Sequence, residues 1–219
     1  MTPDLSDYQT ILFDCDGVIL DSNDIKTEAF FNSVKSYGEA EANELADYNV
    51  KFGGVTRKQK FEHFFENILS REPKENEFQE LMMIFSEYVK RGLEDCDFSK
   101  GIFQLKKKLP KGKWFVVSGG DADEIRHSFR SKGLIELFDG IYGGPESKQE
   151  IFQMMKKKNL LVSPSIYLGD SEFDHNSAKI SGIDFLFVSG WSEFKDWRSY
   201  CSSNGIESVP SIDVLAEEI

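Results

Sequence analysis

Acidic and polar side chains follow four short apolar runs of the sequence, at the point where each run ends. In chain order, these residues are Asp14, Asp16, Ser118, Gly119, Gly120, Lys148, Asp170, Ser171 and Asp174. In open α/β sheets, ligands bind beyond the carboxyl ends of the strands. If each run is a strand of one such sheet, four carboxylates, a hydroxyl and an ammonium meet at one edge.

A cluster of this kind predicts a metal site. Several carboxylates close together repel each other, and burial makes the repulsion worse. A divalent hard cation resolves the conflict, and Mg²⁺ prefers oxygen ligands together with waters and a substrate phosphate. We expect side-chain ligands from Asp14 and Asp170 and a third ligand from the backbone carbonyl of Asp16. Asp174 is expected behind them, orienting them or holding the lysine, with Ser171 beside it.

The same residues suit phosphoryl transfer. A carboxylate, here Asp14, can act as the nucleophile and carry a covalent phosphate. Asp16, two residues along, can give a proton to the leaving oxygen and later take one from water. The groups expected to hold the phosphoryl oxygens are Ser118, the free backbone N–H groups of Gly119 and Gly120, and Lys148.

The elements that must position these residues alternate between strands and helices. The strand-like runs are Thr10–Phe13, Trp114–Val117, Gly140–Tyr142, Ile166–Leu168 and Phe185–Val188. Short apolar runs of this kind are typical of strands buried on both faces. Helical patterns lie between them, which favours an α/β fold with a parallel sheet.

The segment from residue 23 to residue 97 is different, because it contains no convincing strand. Apolar residues at helical spacing, such as Phe61 with Phe65 and Phe78 with Phe85, predict helices packed on a core of their own. We therefore predict an all-helical cap domain over residues 23–97, inserted after the first strand. The catalytic core is predicted to comprise residues 1–22 and 98–219.

Four segments, in the right order, resemble the motifs of the haloacid dehalogenase superfamily. Asp14–Ser22 (DCDGVILDS) resembles the first motif, and Val116–Ser118 resembles the second. Lys148 lies where the lysine of the third motif is expected, and Gly169–Asp174 (GDSEFD) resembles the fourth. The resemblance spans about residues 10 to 188, and it favours the branch of phosphoglycolate phosphatase and β-phosphoglucomutase.

This resemblance implies a Rossmann-like core with a mobile helical cap. Members of the superfamily that cleave carbon–halogen bonds lack a counterpart of Asp16, so the chain resembles a phosphatase or phosphomutase. Two departures weaken any transfer of a specific substrate. Lys148 is followed by Gln149 rather than by the proline common in this branch, and Ser118 is followed by Gly119 rather than by asparagine.

One loop of the insertion is a candidate for substrate contact. Gly53–Arg57 interrupts the helical pattern and resembles a loop that touches substrate in the mutase branch, with Arg57 at the position of a phosphate-binding arginine. The alternative is an ordinary helix start, in which Thr56 is the N-cap and Arg57 is exposed. Lys26, on the first helix of the insertion, can also face the cleft.

The leading hypothesis is a Mg²⁺-dependent phosphatase that hydrolyses a small phosphorylated metabolite, such as a sugar phosphate, through a phosphoaspartate. The alternative is a phosphomutase that returns the phosphoryl group to the sugar, with Arg57 gripping the distal phosphate. A phospho-receiver module is disfavoured because receivers lack a large helical insertion. A non-catalytic relative is disfavoured because the reacting groups are intact.

Composition restricts the partners. The net charge of −12 is opposite to that of a sequence-independent nucleic-acid binder, so no nucleic acid is expected. The three cysteines match no metal motif, and we expect reduced thiols and a cytoplasmic location. The first residues have no signal-peptide pattern, and no apolar run approaches the roughly 20 residues that span a bilayer. Monomer and homodimer both stay open.

Overall fold

The structure is a computed structural model that describes residues 3–218. Within these residues, six strands form one parallel sheet in the order β3-β2-β1-β4-β5-β6. The strands are β1 (Thr10–Phe13), β2 (Lys113–Asp121), β3 (Gly140–Gly144), β4 (Ser165–Gly169), β5 (Asp184–Val188) and β6 (Ser208–Val209). The predicted α/β fold with a Rossmann-like parallel sheet is confirmed.

Two strands differ from the sequence prediction. The apolar run predicts that β2 ends at Val117, whereas the strand continues to Asp121 with a register irregularity after Val117. The chain therefore stays extended through the polar residues of the second motif. The short strand β6 is not predicted, because two residues do not form a recognisable apolar run.

The central position of β1 brings the motifs together. All four residues of β1 are buried, and the strand lies between β2 and β4. Phe13 is paired with Val116 on β2 and with Leu168 on β4. The chain segments that follow these three positions therefore start at the same level of the sheet.

Helices cover both faces of this sheet. Alternate strand residues point to opposite faces, and Phe13 belongs to one hydrophobic cluster while Leu12 belongs to another. The first cluster includes α5 (Gly101–Lys108), α6 (Ala122–Ser131) and α10 (Ile212–Glu218), and the second includes α7 (Lys148–Lys157) and α8 (Glu172–Ile180). A further helix, α9 (Trp197–Asn204), lies between β5 and β6. None of the helices within residues 3–218 has both the length and the apolar character needed to cross a bilayer.

The segment between β1 and β2 is helical until the chain returns to the sheet. Its helices are α1 (Asn23–Val34), α2 (Glu39–Lys51), α3 (Arg57–His63), a π-helical turn (Phe64–Ile68) and α4 (Glu77–Asp95). The ring centroids of Phe61 and Phe85 are 5.9 Å apart, and those of Phe30 and Phe85 are 4.3 Å apart. The aromatic stripes thus form the core of this helical insertion. Its division from the rest as a separate domain, residues 23–97, stays a prediction.

Two adjacent stretches of chain connect the helical insertion to the sheet. The Asp21 N–H donates to the Asp97 carbonyl at 3.0 Å, and the Ser99 N–H donates to the Ile19 carbonyl at 2.9 Å. Entry and exit therefore lie side by side. Paired connections of this kind are where a hinge of a moving cap would lie.

The aromatic core of the insertion gives a stability prediction. Phe61 is fully buried, so Phe61→Ala should lower the free energy of unfolding by about 3–5 kcal/mol through lost burial and a residual cavity. Chemical denaturation followed by circular dichroism measures the change. The control is Tyr88→Ala on the exposed side of α4, which should change the same quantity by less than about 1 kcal/mol. Equal effects of the two substitutions would contradict the assigned core.

Candidate active site

Three carboxylates meet beyond the carboxyl ends of β1 and β4. Asp14 directly follows β1, and its N–H donates to the Leu168 carbonyl on β4 at 2.8 Å. Asp170 directly follows β4, and Asp174 lies in the first turn of α8. One carboxylate oxygen from each of Asp14, Asp170 and Asp174 lies within 4.8 Å of the others. All three side chains are buried.

Lys148 supplies the positive charge at this cluster. It is the first residue of α7, whose start is fixed by a capping box between Ser147 and Glu150. The ammonium is 1% exposed and lies 3.0 Å from Asp14 Oδ1 and 2.5 Å from Asp174 Oδ1. Burial alone would lower the pKa of Lys148, but the charges of Asp14 and Asp174 raise it above its ordinary value. Lys148 is therefore a permanent cation.

One ammonium does not neutralise three buried carboxylates. Burial raises the pKa of Asp14 despite the opposing charge of Lys148, and the charges of Asp174 and Asp16 raise it further. Burial also raises the pKa of Asp170 well above its ordinary value, with Asp174 adding to the effect. Buried carboxylate oxygens with excess negative charge suit a hard divalent cation such as Mg²⁺, so the residues fit this ion.

Asp170 is held from two sides by residues that the sequence analysis missed. The Asn23 side-chain amide donates to Asp170 Oδ2 at 2.8 Å and to the Trp191 carbonyl at 2.9 Å. The Ser192 hydroxyl donates to the Asp170 carbonyl at 2.5 Å. Asn23 and Ser192 occur in segments without a recognisable motif. Their contacts arise only because the start of α1 and the loop after β5 meet at this edge of the sheet.

Ser171 and Asp174 lie behind the other two carboxylates. The Ser171 hydroxyl donates to Asp174 Oδ2 at 2.7 Å and also caps α8 by accepting from the Asp174 N–H. The Tyr167 hydroxyl donates to Asp174 Oδ1 at 3.2 Å. Asp174 thus holds Lys148 and is itself fixed by Ser171 and Tyr167. Its supporting role stays a prediction, since its carboxylate is close enough to share an ion with Asp14 and Asp170.

The Asp16 carboxylate lies apart from this group and has its own partners. Ser22 donates to Asp16 Oδ1 at 2.6 Å, and Lys26 lies 3.2 Å from Asp16 Oδ2. Although burial would raise the pKa of Asp16, Lys26 and Ser22 hold it below its ordinary value. Asp16 is therefore ionised in this state, which is the form that accepts a proton. Lys26 faces the cleft, as the sequence analysis allowed.

The residues after Val117 form the opposite wall of the site. The Ser118 hydroxyl donates to Asp16 Oδ2 at 3.4 Å and accepts from the Gly120 N–H at 2.9 Å. The Gly120 amide is therefore engaged in this conformation, whereas the sequence analysis expects it to be free. A Cβ on Gly119 would lie 2.7 Å from the Gly54 carbonyl. The loop of the helical insertion thus packs directly on the catalytic edge.

Two glycines make this close packing possible. Gly17 has φ +78°, and a Cβ there would lie 2.1 Å from Asp170 Oδ2. Gly54 has φ +87°, and a Cβ there would lie 2.9 Å from the Phe173 ring. Both positions combine a left-handed backbone with a lack of space, which restricts them to glycine.

Arg57 is not exposed, so that part of the helix-start alternative is wrong. Thr56 does cap α3, in a capping box with Gln59, but the Arg57 side chain is only 9% exposed. Its guanidinium lies 2.5 Å from Glu124 on α6 and donates to Ser86 on α4 at 2.6 Å. Arg57 therefore joins the insertion to the core. Its contact with substrate stays a prediction.

A cavity extends from the carboxylates to the helical insertion. Its wall includes every residue that the sequence analysis assigned to catalysis, metal or substrate binding, except Asp174. Further residues of the wall come from the insertion and from the loop after β5: Phe30, Asn49, Lys60, Phe85, Glu193 and Phe194. Lys60 and Asn49 were missed because helical spacing does not show which face of a helix of the insertion lies over the site. Glu193 was missed because it lies in a loop without a recognisable motif.

Comparison with known proteins defines the family. The family profile for haloacid dehalogenase-like hydrolases matches residues 11–188, which is most of the chain. The chain belongs to this hydrolase family, as its motifs predict. A comparison with curated proteins finds no match.

Solved structures with the same fold are distant in sequence. A predicted phosphatase from Clostridium acetobutylicum is 20% identical, with a TM-score of 0.74, and the match covers 96% of this chain and 97% of that one. A predicted phosphoglycolate phosphatase from Haemophilus somnus is 17% identical, with a TM-score of 0.71 and coverage of 98% and 99%. A CbbY variant from Rhodobacter sphaeroides in complex with xylulose-1,5-bisphosphate is 17% identical, with a TM-score of 0.69 and coverage of 94% and 95%.

The carboxylate cluster predicts how stability depends on Mg²⁺. The ion should raise the melting temperature of the native protein, because it binds only where the three carboxylates are assembled. Asp170→Asn should abolish most of this rise, and the exposed Asp47→Asn on α2 should leave it unchanged. Differential scanning fluorimetry with and without Mg²⁺ measures the effect.

Without metal, the same substitution should stabilise the protein. Since the pKa of Asp170 is raised in the folded state, the folded protein binds its proton more tightly. The free energy of unfolding therefore falls as pH rises above about 4. Asp170→Asn cannot ionise at this position and does not lose stability in this way. The difference in free energy of unfolding between the variant and the native protein should therefore grow with pH. An advantage that shrinks with rising pH would contradict the electrostatic assignment.

Proposed function

We propose that this hydrolase is a Mg²⁺-dependent phosphatase that cleaves a small phosphorylated metabolite through a phosphoaspartate at Asp14. The observation that carries the proposal is the contact of the Asp14 carboxylate with Lys148, beside Asp170 and Asp174 and at the floor of a cavity covered by helices. Such a site offers a nucleophilic oxygen, a fixed cation and ligands for a divalent ion. These are the requirements for transfer of a phosphoryl dianion.

The side chains divide the reaction into two displacements. An Asp14 oxygen attacks phosphorus, the bond from phosphorus to the ester oxygen breaks, and that oxygen leaves with a proton from Asp16. Water then attacks the phosphoaspartate, Asp16 takes its proton, and inorganic phosphate leaves while the Asp14 carboxylate is regenerated. Mg²⁺ at Asp14 and Asp170 would neutralise charge on the transferred group. Asp16 must be protonated before the first displacement, whereas Lys26 keeps it ionised in the free site.

Lys148 and the second motif position the transferred group. The Lys148 ammonium is fixed by Asp174, so it can contact a phosphoryl oxygen without moving. Ser118 and Gly119 line the cavity from β2, and the Ser118 hydroxyl and the Gly119 N–H are the candidate donors to the other oxygens. Fixed donors of this kind stabilise developing charge without reorganisation during the reaction.

The covered cavity favours a small substrate. The loop at Gly54 approaches Gly119, and Arg57 pairs with Glu124 across the same gap. A folded protein substrate would have to displace these contacts, whereas a metabolite fits between the insertion and the sheet. The structural relatives named for phosphoglycolate and crystallised with xylulose-1,5-bisphosphate agree with this size class.

A phosphomutase uses the same first displacement and is the second candidate. The close approach of Gly54 to the catalytic edge favours it, because a mutase must keep water from the phosphoaspartate. Against it, the guanidinium expected to grip a distal phosphate is neutralised by Glu124 in this conformation. Release of free phosphate from a sugar phosphate supports the phosphatase, and isomerisation without release supports the mutase.

The nucleophile is tested by Asp14→Asn. This substitution should lower turnover of p-nitrophenyl phosphate with Mg²⁺ by roughly 10³-fold or more, because the amide cannot form the covalent intermediate. Phosphate release measures turnover, and circular dichroism checks the fold. The control is Asp21→Asn, an exposed aspartate of the same motif, which should retain native turnover. Comparable activity in the Asp14→Asn variant and the native protein would exclude Asp14 as the nucleophile.

The acid–base role is tested by Asp16→Asn with two leaving groups. An alkyl phosphate needs a proton on its leaving oxygen, so its turnover should fall by about 10²–10⁴-fold. p-Nitrophenolate leaves without a proton, so formation of the phosphoaspartate from p-nitrophenyl phosphate should be affected much less. Rapid acid quench and intact-mass measurement detect the phosphoenzyme. If the rate of its formation falls equally with both esters, Asp16 is not the acid.

A further inference from the structure

Four cationic side chains in the cavity wall are largely shielded from solvent, and three of them are paired with carboxylates. Lys148 pairs with Asp14 and Asp174, Lys26 pairs with Asp16, and Arg57 pairs with Glu124. The fourth is Lys60 on α3, which is 5% exposed. Within residues 3–218, its ammonium makes no ion pair, and its hydrogen-bond acceptor is the neutral Asn49 Oδ1 at 2.6 Å.

A buried ammonium without a carboxylate partner is costly, so its surroundings should explain why it is kept. Lys60 lies 5.3 Å from the centre of the Phe30 ring, and both side chains line the cavity. An ammonium has three donors, and Asn49 accepts one of them. The remaining donors can serve a ligand in the cavity.

The orientation of Lys60 is fixed from behind by a chain of hydrogen bonds. Asn49 donates through its side-chain amide to the Thr27 hydroxyl at 2.8 Å, and Thr27 donates to Glu193 at 3.2 Å. These residues lie on α2, α1 and the loop after β5. Glu193 is the acidic residue at the end of this chain of hydrogen bonds, but Asn49 and Thr27 separate it from Lys60. The arrangement holds the ammonium in place without neutralising it.

Lys60 belongs to the helical insertion and lines the same cavity as Asp16 and Lys26. Asp16, which must face the leaving oxygen, pairs with Lys26, and the charges of both Lys26 and Asp16 act on Lys60. Burial and, to a smaller extent, the charge of Lys26 lower the pKa of Lys60 to about 7, although the charges of Asp16 and Glu193 oppose this shift. A bound anion would favour the charged form of Lys60.

We propose that Lys60 is the specificity-determining residue of this site and that it binds a second anionic group, a carboxylate or a second phosphate, on the leaving group of the substrate. The inference rests on the proposed phosphatase function. It also moves the expected anion contact from Arg57, whose charge Glu124 already neutralises, to Lys60. The substrate is then a small phosphate ester with a second negative charge, not a neutral sugar monophosphate.

The test compares Lys60→Met with Lys58→Met, an exposed lysine on the same helix. The substrates are 2-phosphoglycolate, xylulose-1,5-bisphosphate and p-nitrophenyl phosphate, of which the last has no second anion. In Lys60→Met, kcat/KM should fall at least about tenfold for the esters with a second anion, mainly through KM, and stay within about twofold for p-nitrophenyl phosphate. Lys58→Met should change neither. A larger loss of kcat/KM for 2-phosphoglycolate would indicate that Lys60 binds a carboxylate, and a larger loss for the bisphosphate would indicate a second phosphate.

A binding measurement keeps this test independent of turnover. In an Asp14→Asn background, calorimetry should show that Lys60→Met weakens binding of 2-phosphoglycolate or the bisphosphate at least about tenfold but not that of ethyl phosphate. If this pattern holds without any turnover by the native protein, the proposed function fails and the assignment of Lys60 stands. Equal weakening for all ligands, or none, overturns the assignment.

The melting temperature separates recognition from a structural role. Since Lys60→Met removes a buried charge and keeps the apolar stem, it should leave the melting temperature unchanged or raise it. If the Met variant fails to fold, Lys60→Gln, which keeps a donor for Asn49, repeats the binding comparison. A large loss of stability in both variants, with equal loss of binding for all ligands, would show that Lys60 only supports the fold.

Discussion

The arrangement of this site depends on an imbalance of buried charge. Asp14, Asp170 and Asp174 place three carboxylates within reach of one ion, and Lys148 is the one ammonium in contact with the cluster among residues 3–218. Burial favours the protonated forms of Asp14 and Asp170, so the cluster is incomplete without further positive charge. The parallel sheet holds Asp14 and Asp170 close together, because β1 and β4 end at nearly the same level and each is followed directly by one of these carboxylates.

Several charged side chains of the cavity wall are paired with a side chain of opposite charge. The charges that are not balanced in this way indicate where ligands bind. Lys26 keeps Asp16 ionised, and Glu124 neutralises Arg57 across the gap between insertion and core. The excess of carboxylates at the floor supports the proposed divalent cation. At the roof, the Lys60 ammonium has no carboxylate partner within residues 3–218, which supports the proposed second anion on the substrate. A phosphate ester with a second negative group, bound together with Mg²⁺, would balance both ends of the same cavity.

The sequence predicts the floor of the site better than its roof, for physical reasons. The floor residues follow buried strands, and strands of one parallel sheet end at a common edge, so Asp14 and Asp170 can be placed together from spacing alone. Lys60, Asn49 and Asn23 lie on helices, where the orientation toward the site depends on how helices pack. The burial of Arg57 against Glu124 is likewise a tertiary contact, and Thr56 as N-cap is all that the local pattern predicts. The extension of β2 to Asp121 was missed because polar residues interrupt the apolar run.

The proposed function depends most directly on a divalent cation shared by Asp14 and Asp170 beside the phosphoryl site. Anomalous diffraction from crystals soaked with Mn²⁺, which prefers the same oxygen ligands as Mg²⁺, measures this directly. One ion is expected, coordinated by carboxylate oxygens of Asp14 and Asp170, with the Lys148 ammonium still in contact with Asp174. An empty cluster in the presence of millimolar Mn²⁺, or an ion bound only elsewhere, would contradict it.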